Sequence, residues 1–339
     1  MKKYSALAWQ MPLLFAASLA FMALSEAPTL TEWGISPLTL AITGGMVLGN
    51  TLPAHRTALF SDGIAFSKSH LLRIGIMLYG FRLTLSQVLY VGWPALLADA
   101  AVVAGTMFLA LRLGRRFGLD TDTAALVGAG SAVCGAAAVL AAQPVLKAQE
   151  RDVGVAVATV VVFGTLAMFA YPLMAAALLP HDASAAAWFS WGIYTGATVH
   201  EVAQVAAAGA AVNPAVADVA VITKMIRVML LAPLLLVLPF LQGGRKTGGF
   251  RLSLPWFVPA FLAAVVLNSL LPLSAPYHQA LLRFDTLLLT TAMFALGLTT
   301  RWQAVRAAGI KPLLLAGILA LWLMTGGGAL AYIGYLLFK

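Results

Sequence analysis

Gly128-Ala-Gly-Ser-Ala-Val-Cys-Gly135 and Thr195-Gly-Ala-Thr-Val-His-Glu-Val-Ala-Gln204 put glycines, hydroxyls and ionisable groups inside apolar stretches where a plain membrane helix would carry leucine. In hydrocarbon an unsatisfied backbone group costs several kcal/mol, so irregular backbone persists at membrane depth only where protein buries it or a watery cavity reaches it. Two interruptions of the same kind in one chain therefore point to a pair of discontinuous or re-entrant helices. Many secondary transporters hold their substrates near the bilayer midplane with such a pair.

The surrounding sequence supports a membrane setting. Of 339 residues, 61% are hydrophobic and 10% charged, against about 25% charged in soluble proteins, and the mean hydropathy is +0.92. The apolar runs are ~18–25 residues long with Gly and Pro inside them, which fits spanning helices and not the alternating strands of an outer-membrane barrel. The expected fold is an all-α polytopic membrane protein, a single transporter domain over residues 1–339. Residues 1–36 form an extra amino-terminal helix, and there is no soluble domain. Candidate segments are 7–25, 37–52, 64–82, 91–111, 122–143, 153–179, 186–211, 216–241, 254–271, 283–299 and 312–337.

The net charge of +9 does not point to nucleic acid, because the Lys and Arg residues fall mostly in short connections. That is the positive-inside pattern. Arg112–Arg116, Gly244–Arg251 and Arg301, Arg306 and Lys311 belong in the cytoplasm by this rule, and the amino terminus with them. Met1-Lys-Lys and the apolar run Leu7–Leu24 have the look of a signal peptide, but the run is long and more spans follow, so it reads as a retained first helix. Eleven spans satisfy the charges. Nine satisfy them equally if 122–143 and 186–211 are re-entrant, which moves Lys147–Asp152 to the cytoplasm. A lone cysteine, Cys134, excludes an intramolecular disulfide and any multi-Cys metal site.

An internal repeat emerges when the chain is shifted by 217 positions. Gly80 falls on Gly297, Val88 on Val305 and Gly92 on Gly309, and Asn50-Thr-Leu-Pro53 resembles Asn268-Ser-Leu-Leu-Pro272. The matched spans have opposite membrane orientation, the inverted-repeat pattern of alternating-access transporters.

Ionisable residues inside apolar segments default to functional candidates. His200 and Glu201 are adjacent, with Thr195, Gly196, Thr198 and Gln204 around them, and on a continuous helix His200 and Gln204 would share a face. Glu201 could carry a proton or fix the His200 tautomer; the bland alternative is a turn whose His and Glu reach headgroups. His200-Glu-Val-Ala-Gln204 is close to the H-E-x-x-H zinc helix, but the second His is a Gln, so neither a metal nor a cofactor is expected. In the first interruption, Ser131, Cys134, Gly135 and Ala136 mark a bare turn between two half-helices, the second stopping at Pro144. Its free amides would suit an anion, and close packing through small residues is the alternative. Lys224 and Arg227 lie one turn apart and either draw an anion, neutralise acids or snorkel to the interface. Lys68, Arg73 and Asp99 are weaker signals of the same kind. Arg283 and Asp285 read as capping a helix start.

On these residues the chain resembles the YeiH-type sulfate exporter family of bacterial inner-membrane proteins. The matching stretches are Gly45–Asn50, Leu71–Ser86, Gly130–Ala138, Phe163–Met168 with Tyr171-Pro172, Gly196–Val205, and Lys224 with Arg227. Val133 and Ala137 stand where Ile and Ser are usual, which removes one hydroxyl and leaves the backbone site intact. The resemblance implies a fold similar to sodium/proton antiporters and bile-acid symporters, with two crossed, discontinuous helices. It also implies export of sulfate or a related oxyanion or organosulfonate.

The expectation is then a non-enzymatic secondary transporter of a small anion in the inner membrane. Ser131, Cys134, Gly135, Ala136, Thr195, Gly196, Thr198, His200, Gln204, Lys224 and Arg227 frame the substrate, and His200 with Glu201 couples protons. Its partners are the anion and the lipid bilayer, and a homodimer is compatible with the sequence. A cation/proton antiporter using Glu201 or Asp99 is the alternative within transport, and an intramembrane hydrolase the alternative outside it.

Overall fold

The computed structural model describes residues 2–27, 36–180, 182–241, 256–271 and 273–337, and among them the regular structure is helical throughout. The helices in chain order are α1 (Lys2–Ser25), α2 (Pro37–Thr51), α3 (Ala54–Ala58), α4 (Ser61–Phe66), α5 (Leu72–Tyr79), α6 (Leu85–Arg116), α7 (Thr121–Ala132), α8 (Ala136–Leu146) and α9 (Glu150–Leu178). They continue as α10 (Ala185–Thr198), α11 (Val202–Ala210), α12 (Pro214–Met229), α13 (Leu231–Leu241), α14 (Phe257–Leu270), α15 (Ala275–Thr299), α16 (Trp302–Ala308) and α17 (Ile310–Leu337). The starts have local causes: side-chain oxygens of Ser36, Asp120, Ser184 and Asn213 accept from backbone amides of the first turns of α2, α7, α10 and α12.

Among the described residues five helices are long and apolar enough to cross a membrane, or six with the α12–α13 pair, bent by 43°. The other segments expected from the sequence are short or broken. The span expected over 64–82 is α4 and α5 joined by a π turn at Ser67–Leu71, and α14 has 14 residues. The Gly244–Arg251 stretch, Pro272 and most of the Ser25–Ser36 connection lie outside the described residues.

The chain divides into two compact units, Met1–Gln87 with Trp256–Trp302 and Val88–Pro255 with Gln303–Lys339. In the first, α2 and α15 touch through glycines: a Cβ on Gly297 would stand 2.9 Å from Gly45 Cα and Met46 N. Gly80, which follows α5, meets α14 in the same way, a Cβ there standing 2.6 Å from Phe261 O and 2.9 Å from Ala264 Cβ. Small residues let membrane helices approach this closely. Asn50 Nδ2 donates to Thr300 O (2.8 Å) beyond α15, and Asn268 Nδ2 donates to Leu83 O (3.0 Å) beyond α5. Each half of the 217-position repeat thus touches the other at places that match to within one or two positions.

Asp285 corrects one expectation. It does not cap a helix start: α15 begins at Ala275, and Asp285 is buried in its middle. Arg82 Nη2 lies 2.7 Å from its Oδ2, and that ion pair is what lets a charge sit inside the apolar run.

In the second unit both interrupted segments turn back on themselves. A Cβ on Gly130 would stand 2.8 Å from Val139 Cγ2, whereas a continuous helix would hold positions 130 and 139 about 13 Å apart. Thr123 Oγ1, at the start of α7, donates to Asp152 Oδ1 (3.0 Å), just past the end of α8. The α7–α8 segment therefore leaves on the side where it enters. Gly192 of α10 and Gly209 of α11 both lie against the first turns of α12, with would-be Cβ contacts of 2.6 Å to Val219 and to Ala217. The α10–α11 segment is a second re-entrant hairpin. Of the two span counts, the nine-span one accommodates both. Pro144 does not stop α8, which runs to Leu146 and ends on left-handed Lys147 (φ 54°).

Candidate functional site

The two hairpin mouths lie at opposite ends of α9, whose 29 residues span about 43 Å. The first opens beside the amino end of α9, and the second follows its carboxyl end. Their tips meet. At the first tip α7 stops at Ala132, Gly135 takes the left-handed region (φ 72°) that favours glycine, and α8 restarts at Ala136. At the second, α10 ends at Thr198, the backbone is extended at Val199 and Glu201, and α11 begins at Val202.

Lys224 and Arg227 join the tips. Both are fully buried, which rules out snorkelling. Lys224 Nζ donates to Val133 O and Val199 O, one from each hairpin, both at 2.6 Å. Arg227 donates to Ala132 O and Ser131 O at 2.6 Å and to Ala197 O. The last carbonyls of a helix lack intrahelical partners and carry its negative dipole end. Two cations from α12 satisfy both sets at once.

The remaining expected residues gather around these tips. Glu201 is the N-cap of α11 in a capping box with Gln204, whose Oε1 accepts from the Glu201 amide (3.2 Å). Glu201 Oε1 also accepts from Ala136 N (3.4 Å), so a carboxylate of one hairpin sits on the free amide end of the other. His200 lies in the turn and Gln204 on α11, so they share no helix face. Gly196 packs on Ala220 and Thr223 of α12 and is a helix contact. Cys134 is buried in the first tip. Thr195 Oγ1 is spent on Trp191 O (2.8 Å), while Thr198 Oγ1 donates to Tyr194 O and accepts from Tyr171 Oη (2.7 Å).

Several polar atoms near the tips are buried without a protein partner: Ser131 Oγ, both ring nitrogens of His200, Gln204 Nε2 and both carboxylate oxygens of Asp99. Buried polar atoms are nearly always hydrogen-bonded, so a concentration of unpaired ones makes this the candidate place for water or a polar guest. A cavity of about 420 Å³ reaches His200, Thr198 and Tyr171, its other walls being apolar residues of α9 and α17 such as Phe163, Leu313 and Met324. Tyr171 has no individual role in the sequence reading, since a tyrosine in an apolar run reads as packing; its hydroxyl bond to Thr198 and its place on the cavity wall distinguish it.

This arrangement defines a polytopic all-α membrane protein with paired re-entrant hairpins closed on a buried cation pair. The sequence matches the family described as Conserved hypothetical protein 698 over residues 11–316, and the chain belongs to that family. It is 48% identical over 314 residues to the UPF0324 inner membrane protein YeiH of Escherichia coli K12, covering 90% of this chain and 88% of the relative. The YeiH protein of Salmonella typhimurium is 49% identical over 311 residues, covering 89% and 87%. The UPF0324 membrane protein PA5383 of Pseudomonas aeruginosa is 47% identical over 332 residues, covering 94% and 92%.

Proposed function

We propose that this protein is a secondary transporter, not an enzyme, that exports a small anion by alternating access. The observation that carries the reading is the meeting of two re-entrant tips, entering from opposite ends of α9, around unpaired buried polar atoms. Irregular backbone at membrane depth is held here by the buried cations, and transporters place such backbone around their substrates. The anion, sulfate or a related oxyanion or organosulfonate, binds at Ser131, the Gly135–Ala136 turn, Thr198 and His200. Lys224 and Arg227 supply positive potential from beneath. Substrate and the Glu201 carboxylate compete for the Ala136 amide, so protonation of Glu201, helped by His200, couples proton and anion movement. The relatives' names support an inner-membrane location, the hairpin contacts support nine spans, and the basic connections support a cytoplasmic amino terminus.

The orphaned Asp99 carboxylate favours a cation/proton antiporter as a second reading. Against it, Lys224 and Arg227 already hold the tip carbonyls that would coordinate a metal cation.

Purified protein in proteoliposomes, offered radiolabelled sulfate, sulfite, thiosulfate, taurine and sodium, tests both. Anion flux driven by a pH gradient is expected, with His200→Ala inactive and Glu201→Gln indifferent to the gradient. Sodium flux without anion flux would establish the antiporter instead, and wild-type flux in His200→Ala would remove that residue from the path.

A further inference from the structure

Away from the hairpin tips, a groove of about 750 Å³ runs between α6 and α13. Its walls are apolar over most of their length, with Ala104, Phe108, Leu234 and Val237 among them, and its end carries Arg112, Arg115 and Arg116. These three arginines fall at i, i+3 and i+4, on one face of α6. All three are exposed, and among the described residues none of their side chains has an ion-pair or hydrogen-bond partner. From Ala100 to Arg116 the helix rises about 24 Å, which accommodates the ~15 Å acyl depth of one leaflet beneath a headgroup.

We propose that this groove is a binding site for an anionic phospholipid, with an acyl chain along Ala100, Ala104 and Phe108 and the headgroup phosphate on Arg112, Arg115 and Arg116. The two halves of the ligand match the two halves of the groove: hydrocarbon meets Leu234 and Val237, and phosphate meets guanidinium groups, which bind it through two parallel N–H donors. A zwitterionic lipid offers the same chains without the net charge. A free phosphate offers the charge without the chains. Each basic residue near an anionic lipid surface contributes enough that three together give roughly a hundredfold preference for the charged lipid. The site owes nothing to the transport reading, because it is lined by neither hairpin.

Native mass spectrometry of the full chain in detergent tests the proposal, with phosphatidylglycerol and phosphatidylcholine of equal chain length titrated separately. Wild type is expected to retain phosphatidylglycerol at ten to a hundred times lower lipid concentration than phosphatidylcholine. Arg112→Gln/Arg115→Gln/Arg116→Gln is expected to bind the two lipids alike. Because those side chains are exposed, this variant should remain folded and monodisperse. Ala104→Trp, which fills the groove and keeps the arginines, is expected to lose the phosphatidylglycerol. Equal retention of both lipids by wild type would overturn the site, as would a preference that survives the triple substitution. Phosphatidylglycerol that stays on Ala104→Trp, or that inorganic phosphate displaces, would reduce the site to a surface charge effect and equally refute it.

Discussion

Lys224 and Arg227 show how a residue can be legible as important while its partners are not. The sequence marks them as two cations one turn apart in an apolar helix, and the open choices were an anion, an acid or the interface. Among the described residues their side-chain hydrogen bonds run to main-chain carbonyls, which no side-chain pattern announces. A buried polar group left unsatisfied costs about 1–3 kcal/mol, and Arg227 serves Ser131, Ala132 and Ala197. Arg227→Met is therefore expected to destabilise by roughly 3 kcal/mol or more, Lys224→Met, which frees two carbonyls, by somewhat less, and Arg227→Lys least of the three. Thermal unfolding and the monodisperse fraction after extraction measure this. Full stability in Arg227→Met, with only flux lost, would make the cations substrate ligands and not fasteners.

At the scale of the element, what sequence disclosed was the interruption and what it withheld was the direction of the chain afterwards. Gly128–Gly135 and Thr195–Gln204 break helices whether the second half continues or returns, and positive charge on both sides of 122–143 suits either path. The decision lies in tertiary contacts: Gly130 against Val139, and Thr123 bonded to Asp152. Arg82 and Asp285 repeat the lesson, since an acid near the start of an apolar run reads as a cap until its partner, far away in sequence, is known. The hairpin has a direct consequence for labelling. In a Cys134→Ala background, Arg116→Cys and Glu150→Cys should react with a membrane-impermeant maleimide from the same side and Asp182→Cys from the other, because only α9 separates 150 from 182. Pairing of Arg116→Cys with Asp182→Cys would mean that α7–α8 crosses the membrane.

For the molecule as a whole, the 217-position repeat becomes more than a coincidence of glycines through its reciprocity. A two-fold relation requires that if position i touches j′, then j touches i′. To within one or two positions, Gly297 on Gly45 and Gly80 on Phe261 and Ala264 satisfy it, and so do Asn50 on Thr300 and Asn268 on Leu83. In sequence these are a few identities spread over an apolar background; their meaning rests on which backbone each one meets. If the two halves are fastened alike, equivalent substitutions in each should both weaken the fold. Asn50→Leu and Asn268→Leu each strand one carbonyl beyond a partner helix, and each should cost about 1–3 kcal/mol. Asn50→Leu should cost more, since Asn50 Oδ1 also accepts from Trp302 N (2.9 Å). Chemical unfolding in lipid micelles of the two single variants and the double tests it. A loss confined to one asparagine would show the repeat to be a sequence resemblance without a structural counterpart, whereas a loss in each, the larger at Asn50, would give both halves the same kind of fastening.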